Sequence, residues 1–132
     1  MNTYETYREK DMTLSMEDFI RIHEKLVESV GTDEDALELY DELLEKAIQY
    51  SDVRARWSRM SREQKMDADE GRTRKHDSLI VKFNQLARYL DGTGRDISWR
   101  EELGYTEDDP LCRKTIGDMG CYLAFIAAIN MR

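Results

Sequence analysis

The segment from Asp109 to Arg132 constrains this chain more than any other. Asp109-Pro110 opens it, and Cys121 to Ile129 is an unbroken apolar run. Asp before Pro is a helix-start signal: the carboxylate caps free backbone N–H groups, and proline is pre-organised for the first helical position. Apolar residues around the whole circumference mark a helix enclosed by others rather than one lying on a surface. The nine residues of the run fall well short of the ~20 that cross a bilayer, so it is a core element and not a membrane anchor. Gly117 and Gly120 lie within the same helix. Interior glycine costs a helix ~1 kcal/mol relative to alanine, and close approach of a neighbouring backbone is the expected compensation.

Upstream, helical spacing recurs. Ser15 with Asp18 has a capping pattern, and Phe19, Ile22, His23, Leu26, Val27 and Val30 follow at intervals of three and four, up to a stop at Gly31. Thr32 with Asp33, Glu34 and Asp35 starts a second helix, acidic where the helix dipole favours acid. Its stripe runs through Ala36, Leu37, Tyr40, Leu43, Leu44, Ala47 and Ile48, with a continuation towards Val53, Trp57 and Met60. Ser61 caps a short polar helix, Gly71 reads as a break, and a further helix from Thr73 carries Leu79, Ile80, Phe83, Leu86, Ala87 and Leu90. Asp91-Gly92-Thr93-Gly94 stops it, and a short turn of helix spans Ser98 to Leu103, with Trp99 and Leu103 pointing inward. No segment alternates as a strand does. The pattern predicts an all-α protein: a compact bundle of four main helices plus short ones, with the apolar C-terminal helix at its centre. The 132 residues suit one domain, in which residues 1–14 are either a short helix or a loose arm.

Charge and cysteine usage narrow the setting. The net charge is −8, and residues 1–70 hold 19 acids against 10 bases, whereas the remainder holds 9 against 10. An acidic N-terminal half argues against general nucleic-acid or membrane-surface binding, since both partners are anionic. Cys112 and Cys121 share the last helix on opposite faces, ~13.5 Å apart along its axis, too far for a mutual disulfide. Unpaired thiols and the absence of a secretory-type apolar segment at the N-terminus point to the cytoplasm.

Positive charge is concentrated at two inferred helix starts. Arg72, Arg74, Lys75 and His76 crowd one, and Arg113 and Lys114 lie in the early turns of the other. Cations there oppose the helix dipole, yet free N–H groups together with Arg side chains make an anion site. Arg72, Arg74, His76, Arg113 and Lys114 are therefore expected to converge on one patch. One reading is an internal network, with Arg74 pairing to Asp77 and Lys114 to Asp118. The other is a site for a phosphate or a partner's carboxylate.

Enzymatic motifs are sparse. His76-Asp77 invites comparison with helical metal-dependent phosphohydrolases, but the only other histidine, His23, lies on an apolar stripe and reads as a hydrogen-bonded core residue. Glu42 with Glu45, and Asp67 with Glu70, put carboxylate pairs on single helix faces, as all-α nucleotide pyrophosphohydrolases do to bind Mg²⁺. Among 28 acids such pairs arise freely. Residues 91–102 have the length of a calcium loop but carry Asp96 where glycine is required. Asn84 and Asn130 lie on apolar faces and read as buried, partnered groups. No catalytic residue, metal centre or cofactor is assigned.

The series Arg72-Thr73-x-x-His76-Asp77, Asn84, Arg88, Trp99-Arg100, Leu103-Gly104 and Arg113-Lys114-x-Ile116-Gly117-Asp118 resembles a small bacterial family of uncharacterised helical proteins, a domain of unknown function. The resemblance covers about residues 72–132. It implies a compact bacterial helical domain and brings no activity, ligand or catalytic residue with it. The leading expectation is a non-enzymatic regulatory or accessory interaction module with an unidentified protein partner. The alternatives are a Mg²⁺-dependent nucleotide pyrophosphohydrolase and an acidic, nucleic-acid-mimicking inhibitor acting through residues 33–45.

Overall fold

The computed structural model describes residues 14–103 and 110–130, with the side chains of the last helix from Lys114 onward. The expectations for the N-terminal arm, the Asp109 cap, Cys112 and the Arg113 side chain lie outside the described residues. Five helices follow in order: α1 (Met16–Val30), α2 (Glu34–Trp57), α3 (Arg62–Gly92), α4 (Ser98–Leu103) and α5 (Pro110–Asn130). The fold is all-α, with α4 as the single short element among them. No helix among the described residues is long and apolar enough to cross a membrane.

Local chemistry sets most boundaries. The Ser15 hydroxyl accepts from the Asp18 amide at 3.1 Å, and the Asp18 carboxylate accepts from the Ser15 amide at 2.9 Å, a reciprocal cap that starts α1. Gly31 ends it at φ +55°, a backbone region that disfavours any side chain. Asp33, rather than Thr32, caps α2 by accepting from the amides of Asp35 and Ala36. Along α1 the buried stripe is Phe19, Ile22, Leu26 and Val30, while Val27 faces outward.

The main departure from expectation is α3. It runs without interruption through Gly71, so the short polar helix and the helix from Thr73 are one element. The Ser61–Gln64 capping box starts it, and ion pairs Asp69–Arg72 and Glu70–Arg74 straddle the glycine. Helical side-chain pairs are each worth ~0.2–0.5 kcal/mol, comparable together to the ~1 kcal/mol that one interior glycine costs. With no proline or second glycine beside it, Gly71 does not break the helix.

Helices α2 and α3 form an antiparallel hairpin joined by residues 58–61, and α5 packs against both. Leu43 and Ala47 of α2, Leu79 and Phe83 of α3, and Ile116, Met119 and Leu123 of α5 share one core, which Trp99 and Leu103 of α4 close from the α1 side. The apolar C-terminal helix is enclosed only in part. Residues 115–120 are buried, but Phe125 is 60% exposed and Ile129 46% exposed. Past Leu123 only the face bearing Ala127 remains packed, and Asn130 is exposed rather than buried. Uniform hydrophobicity along a helix carries no directional information, so it could not distinguish a surrounded helix from one with an uncovered side.

Candidate functional site

The face of α2 that carries Leu43, Ala47 and Tyr50 into the core continues at the same spacing to Arg54 and Trp57. Leu43, Ala47 and Tyr50 are buried and the last two half-buried, because α2 and α3 leave the core together at this level. Opposite them α3 presents Arg72, Thr73 and His76, and α5 presents Lys114. Together these residues line a cleft of about 420 Å³ at the root of the hairpin.

Two glycines let α5 approach. A Cβ on Gly117 would lie 3.0 Å from the Tyr50 hydroxyl and 3.1 Å from His76 Nε2. A Cβ on Gly120 would lie 2.5 Å from Leu79 Cδ2. Both glycines serve close packing, but what approaches them is neighbouring side chains and not the neighbouring backbone expected from the sequence. The buried His76 ring stands edge-on to Tyr50, with centroids 5.1 Å apart.

Charge at the cleft is held in two ways. Arg54 Nη1 donates to the buried Asp118 carboxylate at 2.7 Å, joining α2 to α5. Burial works against the Arg54 charge, but neighbouring Cys121 and Asp118 more than offset it and raise its pKa. Burial also pushes the Cys121 thiol up, with Arg54 only partly opposing, so this free thiol is not poised as a nucleophile. The Arg72 guanidinium lies 4.5 Å over the Trp57 ring and reaches Asp69 at 3.1 Å. Its Nε is buried and has no hydrogen-bond partner among the described residues.

Of the residues expected to converge, Arg72, His76 and Lys114 do so. Arg74 points elsewhere: it is exposed and reaches back to Glu70 at 3.4 Å. Arg113 falls outside the described side chains. The electrostatic premise also changes. Arg72, Arg74, Lys75 and His76 sit in the middle of α3, where the dipole of the helix ends does not reach, so their clustering needs no dipolar compensation. For Asp118, the cross-helix ion pair is made by Arg54, a residue not singled out in the sequence.

The remaining candidates are dispersed. Glu42 pairs with Lys82 across the α2–α3 interface at 2.6 Å, Glu70 pairs with Arg74, and Glu45 and Asp67 are exposed. Among the described residues, no group of three or more His, Cys, Asp or Glu side chains is placed to hold a metal ion. His23 Nε2 lies 2.8 Å from the Tyr40 hydroxyl, and burial lowers its pKa against the opposing pull of Glu24. It behaves as a partnered, neutral histidine. Asn84 accepts from Nε and Nη2 of Arg100, at 3.0 and 2.8 Å, and Arg100 is fully buried. The spacing of Trp99 and Leu103 marks the inward face of α4, but nothing local in the sequence places the arginine beside Trp99 in the core with them.

No family model matches the chain, and no curated protein or solved structure does so either.

Proposed function

We propose that this protein is a cytoplasmic bacterial interaction module without catalytic activity, acting through its surface. The uncovered face along α2 and α5 carries this reading. Phe125 and Ile129 are exposed beside a shallow groove of about 370 Å³, lined by Tyr40, Leu44, Ile48, Ile126 and Ala127 and rimmed by Asp41 and Glu45. Large apolar side chains left in water beside a groove are a cost that a partner relieves. The acidic rim suits an amphipathic helix bearing basic residues at its edges. The pyrophosphohydrolase reading finds less support, since the Glu42 and Glu70 carboxylates are already engaged by Lys82 and Arg74. The acidic-mimic reading is weakened in the same way, because Asp33 and Glu42 are partly neutralised by Arg95 and Lys82.

The test joins capture with turnover. A partner captured from bacterial lysate by the intact protein should be lost in Phe125→Asp and Ile48→Asp. It should be kept in Met66→Asp, which alters an exposed residue remote from the groove. Nucleoside triphosphates should not be hydrolysed above background with Mg²⁺ or Mn²⁺. Metal-dependent turnover abolished by Glu42→Gln would overturn the reading.

A further inference from the structure

The side of α2 that faces solvent carries its charge in an ordered way. Glu38, Asp41, Glu45, Ile48, Asp52 and Arg56 recur at intervals of three and four, and Arg59 continues them in the turn beyond Trp57. All seven are exposed, and that spacing sets them on one side of the helix. From its N-terminal end the stripe runs through three carboxylates to an isoleucine, then past Asp52 to two arginines. Glu38, Asp41, Glu45 and Arg59 form no ion pair among the described residues. Arg56 reaches Asp52 one turn back, with 70% of its side chain in solvent.

Such a stripe is complementary to itself when reversed. Let a two-fold axis just past Ile48 cross α2 with α2 of a second copy, antiparallel. Arg56, eight residues beyond Ile48, then meets Asp41, seven residues before it, and Arg59, eleven beyond, meets Glu38, ten before. The members of each pair stand at the same height from the axis to within the ~1.5 Å rise of one residue. Symmetry makes each pair twice. Asp52 falls opposite Glu45 of the second copy, and Arg56 beside it offsets that repulsion. A parallel pairing would instead set carboxylate on carboxylate and arginine on arginine.

Apolar surface lies where this arrangement needs it. Ile48, 43% exposed, sits at the centre against its own counterpart, and Leu37, Phe125 and Ile129 are also exposed. The groove between α2 and α5 runs beside the acidic half of the stripe, with Asp41 and Glu45 on its rim. In the antiparallel pair the basic half of the second α2 lies along that rim. The 24 residues of α2 span ~36 Å of a cylinder ~10 Å across, so this face with the exposed edge of α5 offers about 500 Å² per copy. Two copies thus bury ~1,000 Å², the lower bound for a specific interface, which makes a reversible pair and not an obligate one.

We propose that the uncovered α2–α5 face is a homodimer interface, in which α2 pairs antiparallel with α2 of a second copy about a two-fold axis near Ile48. The same patch serves both copies, so the assembly closes at two and does not extend into a filament. The inference rests on the reading that this face is a binding surface, and it names the occupant as the chain itself.

The test is sedimentation velocity on the full chain, from micromolar to near-millimolar concentration, in dilute and in concentrated NaCl. A concentration-dependent rise to twice the monomer mass is expected, weakened by salt because the charge pairs lie at the rim. Ile48→Asp should abolish it. Two charge-reversed chains, Glu38→Arg with Asp41→Arg and Arg56→Glu with Arg59→Glu, should each dimerise at least ~10-fold more weakly, since like charges then face each other. Mixed in equal amounts, these two chains should associate as tightly as the wild type, because every pair is again of opposite sign. All four reversals in one chain should do the same. Arg74→Glu with Arg88→Glu reverses two exposed arginines of α3 outside the stripe and should change the affinity little. Circular dichroism on each variant separates lost pairing from lost fold, and the exposed charge reversals decide the matter if Ile48→Asp does not fold.

A chain that stays monomeric at every concentration and salt overturns the pairing. So does a dimer that survives Ile48→Asp and both double reversals, and so does a mixture of the two reversed chains that fails to associate. Recovery of a different protein from lysate by a monomeric chain, lost in Phe125→Asp, would keep the binding-surface reading and sink self-pairing. Metal-dependent turnover abolished by Glu42→Gln would end the non-enzymatic reading and leave the dimer standing.

Discussion

At the residue scale, two aspartates hold helices together by different means, and each makes a distinct prediction. Asp118 is buried and faces Arg54 at 2.7 Å, while Arg54 is 31% exposed. Removing one member of a buried pair costs about 3–5 kcal/mol. Solvent at Arg54 reduces this, so Asp118→Asn should destabilise by about 2–3 kcal/mol, read from urea midpoints. A change below ~0.5 kcal/mol, the size of an ordinary surface substitution, would show that the pair does not tie α2 to α5. Asp33 works through hydrogen bonds. It accepts from the α2 amides, from the Tyr89 hydroxyl at 2.8 Å and from Arg95 at 2.8 Å, and its pKa falls from 3.8 to about 2. Because the folded value is the lower one, this contribution is complete above the ordinary pKa of 3.8 and disappears as pH falls towards 2. Melting temperature should therefore drop across that acid window, and Asp33→Asn should flatten the drop. His23, its pKa also lowered, adds a separate loss of stability that begins below its ordinary value of 6.5.

At the element scale, legibility followed the range of the interaction that decides each feature. The Ser15–Asp18 cap, the Gly31 stop and the six-residue α4 could be read because their determinants lie within a few residues. Arg54 is also legible: it continues the spacing of Leu43, Ala47 and Tyr50, whereas Val53 lies one position off that face. The uncovered side of α5 and the Asn84–Arg100 contact depend on which helices are neighbours, and one chain's periodicity does not encode that. Gly71 lies between these cases. Its cost is local and visible, and so are the flanking acid–base pairs that offset it, so the outcome turns on a balance of small terms. The structure makes that balance measurable. An added Cβ would meet only the Arg74 guanidinium at 4.0 Å, ordinary contact distance, so alanine fits there without strain. Gly71→Ala should therefore stabilise the protein by about 0.5–1 kcal/mol and leave its helical content unchanged. A large gain in ellipticity would instead mean that α3 is interrupted in solution.

At the scale of the whole molecule, stability is unevenly distributed, and the cleft sits on the dividing line. No residue between 51 and 75 is fully buried, whereas Leu79 to Leu90 of α3 and Ile116 to Leu123 of α5 contribute a large part of the core. At its inner end the hairpin is tied to α5 by Arg54–Asp118; beyond that it relies on its own backbone hydrogen bonds, on Lys65 and Arg72 over Trp57, and on exposed ion pairs. Exposed pairs contribute at most ~1 kcal/mol each, too little to couple the outer part of the hairpin fully to the bundle. Local opening draws on regions with few buried apolar contacts. Amide hydrogen exchange under native conditions should therefore show residues 51–75 opening at a lower free energy than residues 79–90 and 116–123. Equal protection across all three segments would mean that the hairpin unfolds only with the core.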